Sequence, residues 1–422
     1  MAVPLLSSDC RNTSVDEDWV DQMVRLEQKA AAVETTSYVH LMREAASLFE
    51  RKKLERIVPR LRGGPSLAEA NGHGVGGLDP VAGTEAIAYD FLAKGGKHSR
   101  PFITLAVYDA LTGGNATSFG GAAHLTSLPD AIKRVAMSIE TFHKASLVHD
   151  DIEDDDPFRY GEPTLHKTYG LSTAINVGDY LIGMGYRLVS REMKTLGAEV
   201  VADILDRLAD AHMKLSEGQG AELLWRDSRE KSLKPIDALK IYALKTAPAF
   251  EAALYCGARL AGSVEKYSKP ISQFAQHLGV AFQILNDLKD WDGDNHNKLT
   301  AGGDLVGGRP TVLWALALEG LSAENRQELE TLSQLKPLSP ANLQNIRRLY
   351  EQAGVFEKAA RLVDKYRERA EAVADSLEPE ELRRLFYYLI DTVLEQHETA
   401  VVPKIEPIPL TKFVPLKSVP TS

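Results

Sequence analysis

Apolar residues recur along most of this chain at spacings of three and four, the period of a helix with one buried face. In "AIKRVAMSIETFHKASLVH" the positions Ala131, Val135, Ile139, Phe142, Ser146 and Val148 form such a stripe, which predicts a buried or half-buried helix. A longer amphipathic stretch, "DWVDQMVRLEQKAAAVETTSYVHLMREAASLFERKKLERIVPRL", carries its charge on one side. It ends at the Gly-rich "RGGPSLAEANGHGVGGLDP", so a boundary is expected near residue 82. From there to about residue 320, helical segments alternate with Gly or Pro breaks such as "LTGGNATSFGG", "SLKP" and "TAGGDLVGGRP". Alternating strand patterns are scarce, and the expected fold class is all-α. Residues 331–400 carry further helices, and 401–422 are Pro-spaced, so that tail is expected to be extended or disordered.

Composition narrows the function classes. With 422 residues, 44% apolar and 26% charged, the chain can bury a sizeable core. Its 49 basic and 59 acidic residues give a net charge of −10, which offers no broad cationic surface for nucleic acid. An anionic substrate must then be held by local Lys and Arg or through a metal. Cys10 and Cys256 alone exclude a four-cysteine zinc site and suit a reduced cytoplasm. The start lacks a basic segment with an apolar core, and no apolar run of about 18 residues occurs, so neither secretion nor a transmembrane segment is expected.

The buried helix runs into "SLVHDDIEDDDPFRYGEPTLHKTYG", in which six of the seven positions Asp150 to Asp156 are acids. Acids at the end of a buried helix need a partner. Asp150 and Asp154 are four apart and share a helix face with Asp151 beside them, so their carboxylates can converge on Mg2+, which binds through one or two carboxylates, waters and phosphate oxygens. A second acidic helix end follows in "FQILNDLKDWDGD". There Asn286, Asp287 and Asp290 repeat the spacing and Asp294 extends it. Two such ends facing each other would hold several ions around a diphosphate.

With these motifs in hand, the sequence resembles the trans-isoprenyl diphosphate synthase (polyprenyl synthetase) family, and geranylgeranyl diphosphate synthases in particular. The resemblance rests on "GGKHSRP", "ETFHKASLVHDDIEDD", "RYGEPTLH", "NVGDYL", "EGQGAE", "KTAPAF", "FQILNDLKD" and "GGDLVGGRPT", in that order within residues 83–330. It implies an isoprenoid synthase-type helical bundle around a central cavity. It also implies a Mg2+-dependent prenyltransferase that joins an allylic prenyl diphosphate to isopentenyl diphosphate, as a cytoplasmic homodimer. By the same resemblance, Asp150, Asp151 and Asp154 hold metal on the allylic diphosphate, and Asn286, Asp287 and Asp290 supply the second metal motif. Arg159, Lys245 and Lys298 neutralise the leaving diphosphate. Lys97, Arg100 and His143 grip the acceptor, while Thr246 and Gln283 place dipoles near the developing cation.

Two departures stand out. Tyr160 follows Arg159 where the family usually has a second arginine, and Asn286 replaces the leading aspartate of the second motif. The alternatives are a class I terpene cyclase on the same fold, or a non-catalytic partner subunit of a synthase. Product length is expected to follow the helix face before Asp150, where Ser146 and Ala145 are small and Phe142 is the first bulky side chain. That places the floor near geranylgeranyl length.

Overall fold

The computed structural model describes residues 38–394 apart from 39, 62–79, 118–120, 122–123, 125–126, 229–230, 293–301 and 336–337. Lys298, Asp294, most of the Gly-rich loop and the Pro-spaced tail lie outside the described residues.

The described chain is almost entirely helical, as its periodicity predicts. The first seven long helices of the bundle are α1 (Pro80–Ala93), α2 (Ser99–Leu111), α3 (Asp130–Glu153), α4 (Leu171–Ser190), α5 (Ala198–Asp227), α6 (Pro235–Ala261) and α7 (Glu265–Asp292). They are followed by α8 (Val312–Gly320), α9 (Val355–Asp375) and α10 (Glu380–Leu394). Helix α3 packs on α4, α6 is flanked by α5, α7 and α2, and α7 also packs on α9. Among the described residues no helix is long and apolar enough to cross a membrane.

Local chemistry sets several boundaries. Pro235 occupies the first turn of α6, where its missing N–H costs nothing. The Thr311 side chain caps α8 by accepting from the Trp314 N–H at 3.1 Å. Helix α8 is apolar on all sides and buried throughout Val312–Leu318. Close helix approach is bought with glycine. A Cβ on Gly218 of α5 would lie 2.7 Å from the Lys245 nitrogen, and one on Gly279 of α7 would lie 3.0 Å from Ala247 Cα.

Packing runs across both expected boundaries. Leu41, Leu48, Phe49, Leu54 and Ile57 belong to the same apolar cluster as Phe91, Val135 and Leu254, so the described part of the N-terminal extension shares the core of the bundle. A second cluster joins Ile284 and Trp291 of α7 to Val312, Leu349 and Val355, which ties the C-terminal helices to the wall that carries the second motif.

The only strands among the described residues are Phe158–Arg159 and Glu162–Pro163, an antiparallel hairpin directly after the acidic run. Its two-residue loop has φ of +55° at Tyr160 and +78° at Gly161, the signature of a type I′ turn. A non-glycine residue there costs roughly 1–2 kcal/mol. Contact offsets this, because the Tyr160 ring lies so close over Gly95 that a Cβ there would come within 2.6 Å of it.

Candidate active site

Helices α2 to α7 and α10 enclose a cavity of about 970 Å³. Of the residues singled out by sequence, Lys97, Arg100, Phe142, His143, Asp150, Lys245, Thr246, Gln283 and Asn286 line it. Asp151, Asp154, Arg159, Asp287 and Asp290 do not, and each has another partner.

The first acidic motif points in three directions. Asp150 faces the cavity, where burial pushes its carboxyl up to about 7 against the lowering effect of Lys245. Asp151, one residue on and so rotated by about 100°, is buried and accepts from Arg159, whose Nε lies 2.9 Å away. Arg159 also approaches Asp156 at 3.5 Å. Asp154, just past the last turn of α3, accepts from Arg226 at 3.0 Å and from Arg309 at 3.1 Å. Arg309 reaches Asp304 at 3.0 Å as well, so the loop after the second motif is tied to the first motif by a guanidinium.

The second motif is divided by the same helical geometry. Asn286 and Lys289 face the cavity. Asp287 and Asp290 are buried behind them. Asp287 accepts from the Tyr242 hydroxyl, and that hydroxyl oxygen accepts from the Val312 N–H at 2.7 Å. Burial and nearby Asp304 hold the Asp287 carboxyl well above the usual carboxylate range. Asp290 accepts from the Asp304 N–H at 3.0 Å. The expected convergence of Asp287 and Asp290 on the cavity is therefore not what the structure displays. Residues three and four apart share a face, and the face that carries Gln283 and Asn286 continues to Lys289.

A basic wall stands at the start of α2, with His143 of α3 beside it. Arg100 has a buried Nε without a hydrogen-bond partner among the described residues. Burial and Arg100 hold His143 down to about 3, so its imidazole is neutral. Lys97 follows Gly95 and Gly96, both with positive φ. That loop is fixed from beneath by Lys144, which donates to the Lys94 carbonyl and, at 2.9 Å, to the Gly95 carbonyl. Across the cavity, Lys245 pairs with Glu222 at 2.6 Å, and Gln283 donates to the Thr246 hydroxyl at 2.5 Å.

For a divalent cation, Asp150 is a fitting ligand: a half-buried carboxyl raised by desolvation, with Glu153 also on the lining. The second motif does not fit in the same way, since both of its carboxylates are spent on the protein. Among the described residues no three His, Cys, Asp or Glu side chains gather as a metal site.

Sequence reasoning missed Lys144, Glu222, Arg226, Tyr242, Lys289 and Arg309. Lys144, Glu222, Lys289 and Arg309 lie inside quoted motifs, and Lys289 is the position three after Asn286, so helical spacing was the signal that could have found it.

The polyprenyl synthetase family profile matches residues 83–352, more than half of the chain. The geranylfarnesyl diphosphate synthase of Aeropyrum pernix is 31% identical over 313 residues, covering 72% of this chain and 92% of that one. The octaprenyl diphosphate synthase of Escherichia coli is 29% identical over 247 residues, 58% of this chain and 69% of the other. Among solved structures, the geranylgeranyl pyrophosphate synthetase of Pyrococcus horikoshii aligns with a TM-score of 0.69 at 23% identity, covering 86% of this chain and 99% of that one, a likeness of fold.

Proposed function

Because this chain belongs to the polyprenyl synthetase family, we propose that its cavity lengthens an allylic prenyl diphosphate with isopentenyl diphosphate to an all-trans product near geranylgeranyl length. One observation carries the reading: cationic Lys97 and Arg100, with neutral His143 beside them, share a cavity with Asp150 and Lys245. Two diphosphates can thus be held in one space. A cyclase has no use for the second anion site, and a non-catalytic subunit has no use for a desolvated Asp150.

The residues divide the work by chemistry. Lys97 and Arg100 bind the acceptor diphosphate, with neutral His143 contributing an N–H rather than charge. Lys245 and Asp150 bracket the allylic diphosphate. Mg2+ held by Asp150 would stabilise charge that builds on the leaving group. The Thr246 hydroxyl and Gln283 amide, fixed on each other, turn their oxygen dipoles toward the allylic carbon and stabilise positive charge without offering a strong nucleophile. The acceptor double bond attacks that carbon, and the released diphosphate takes the proton.

The hydrocarbon runs along α3 from Asp150 to Phe142, eight residues or about 12 Å. Phe142 meets Tyr186 edge-on at 4.7 Å and leaves no room for a side chain at Gly185, where a Cβ would lie 2.8 Å from the ring. Such a wedged ring suits a floor. Exposed Leu171 and Ile175 on α4, with Met213 and Leu224 on α5, suit the contact of a homodimer.

The test is purified protein with Mg2+ and allylic diphosphates of increasing length, each with and without isopentenyl diphosphate, products read by mass spectrometry. Longer diphosphates are expected. Cyclic hydrocarbons, or no product from any primer, would overturn the reading.

A further inference from the structure

We infer that Lys289 and Asn286 form a metal-independent diphosphate subsite, in which the lysine ammonium stands where the second acidic motif would otherwise recruit a cation. The inference rests on the reading that this cavity takes diphosphates.

The two carboxylates that could recruit a cation on α7 are engaged elsewhere. Asp287 is held by the Tyr242 hydroxyl, itself tied to the backbone of α8, and Asp290 by the Asp304 N–H at 3.0 Å. Turning α7 by the ~100° that separates neighbouring positions would break both contacts and lift Ile284 and Trp291 out of their apolar cluster. The cavity face of this helix end is therefore an amide and an ammonium.

Neither group is spent on the protein. Of the lysines and arginines that line the cavity, Lys245 pairs with Glu222, while Lys97, Arg100 and Lys289 have no ion pair among the described residues; Arg226 and Arg309 nearby are held by Asp154 and Asp304. Lys289 is half-buried, lines the cavity and has no hydrogen bond or ion pair among the described residues, and Asn286 likewise. A half-buried ammonium facing an otherwise polar end of a cavity is a point charge awaiting an anion. Asn286, three residues earlier on the same face, adds amide donors beside it. Replacing a carboxylate with a neutral amide and adding a lysine makes the local charge positive without a metal, and a diphosphate is the anion this cavity is shaped to receive.

The experiment is calorimetric titration of the full chain with inorganic pyrophosphate, in EDTA and in Mg2+, for wild type, Lys289→Gln and the double variant Asn286→Asp with Lys289→Leu. Circular dichroism establishes that each variant is folded. Wild type is expected to bind pyrophosphate in EDTA, Lys289→Gln to bind it about tenfold more weakly there, as loss of one charge-assisted contact implies, and the double variant to be weakened likewise in EDTA and to regain affinity only with Mg2+. Equal metal-free affinity in wild type and Lys289→Gln would overturn the inference, as would wild type that needs Mg2+ to bind at all. Turnover separates this from the functional reading. Lys289-dependent pyrophosphate binding in a protein that elongates no primer would contradict the synthase and leave the subsite standing.

Discussion

The buried ammonium of Lys144 donates to the Tyr160 hydroxyl across 3.1 Å and lies 4.2 Å from the centre of its ring. Through this contact the hairpin after the first acidic motif is fastened to the Gly95–Gly96 loop that carries Lys97. Tyr160 thus supports the acceptor wall from outside, where an arginine in its place would supply charge.

Truncating that ring removes the support and leaves the allylic side intact. Tyr160→Ala is expected to raise KM for isopentenyl diphosphate about tenfold with kcat within about threefold, the pattern of lost binding common to ground and transition states. Steady-state kinetics with the acceptor varied checks this. A fall in kcat at unchanged KM would assign Tyr160 to the chemical step.

Asp150 and Asp287 are both aspartates of expected metal motifs, yet their surroundings give them different duties. Asp150→Asn is expected to lower kcat about a thousandfold with little change in Tm, since it removes charge from the cavity. Asp287→Asn keeps an acceptor for Tyr242 and is expected to leave the Mg2+ requirement unchanged. Tyr242→Phe, which strands both Asp287 and the Val312 N–H, is expected to cost about 1–3 kcal/mol in urea denaturation.

His143 provides a pH signature. Its folded value is depressed from 6.5 to about 3, so between those values the unfolded chain holds the proton and the folded one does not. The stability this group contributes is complete above 6.5 and is lost as pH falls toward 3. His143→Gln is expected to flatten the acid limb of stability against pH by up to about 1.4 kcal/mol per unit. Parallel limbs in the two proteins would mean that the imidazole titrates freely.

Phe142→Ala opens the floor. Chains longer by one or more prenyl units are expected by mass spectrometry, as one helical turn advances about 5.4 Å. Unchanged products at reduced Tm would place the ring in the core and the floor elsewhere.

Much of this site was legible in the sequence because helical spacing assigns residues to faces. Ala145, Ser146 and Phe142 face the cavity as the offsets from Asp150 require. What spacing does not reveal is which of several acids on adjacent faces turns inward. Asp150 and Asp151 differ by one residue and have opposite fates, decided by Arg159 on a hairpin with no alternating pattern. Asp287 faces Tyr242 from another helix, 45 residues away in sequence. Tyr160 reads as a lost arginine until its left-handed turn brings it over Gly95. Such assignments depend on tertiary neighbours, which one-dimensional periodicity does not carry.

The central claim, one cavity that ionises an allylic diphosphate only to join it to a second prenyl diphosphate, is tested most directly by counting pyrophosphate. Wild-type protein is incubated with Mg2+ and an allylic diphosphate, with radiolabelled isopentenyl diphosphate present or omitted, and released pyrophosphate is compared with label in the product. One pyrophosphate for each labelled unit incorporated, and almost none when the acceptor is omitted, is the expected result. Pyrophosphate released at the same rate without the acceptor, accompanied by hydrocarbon, would contradict the claim.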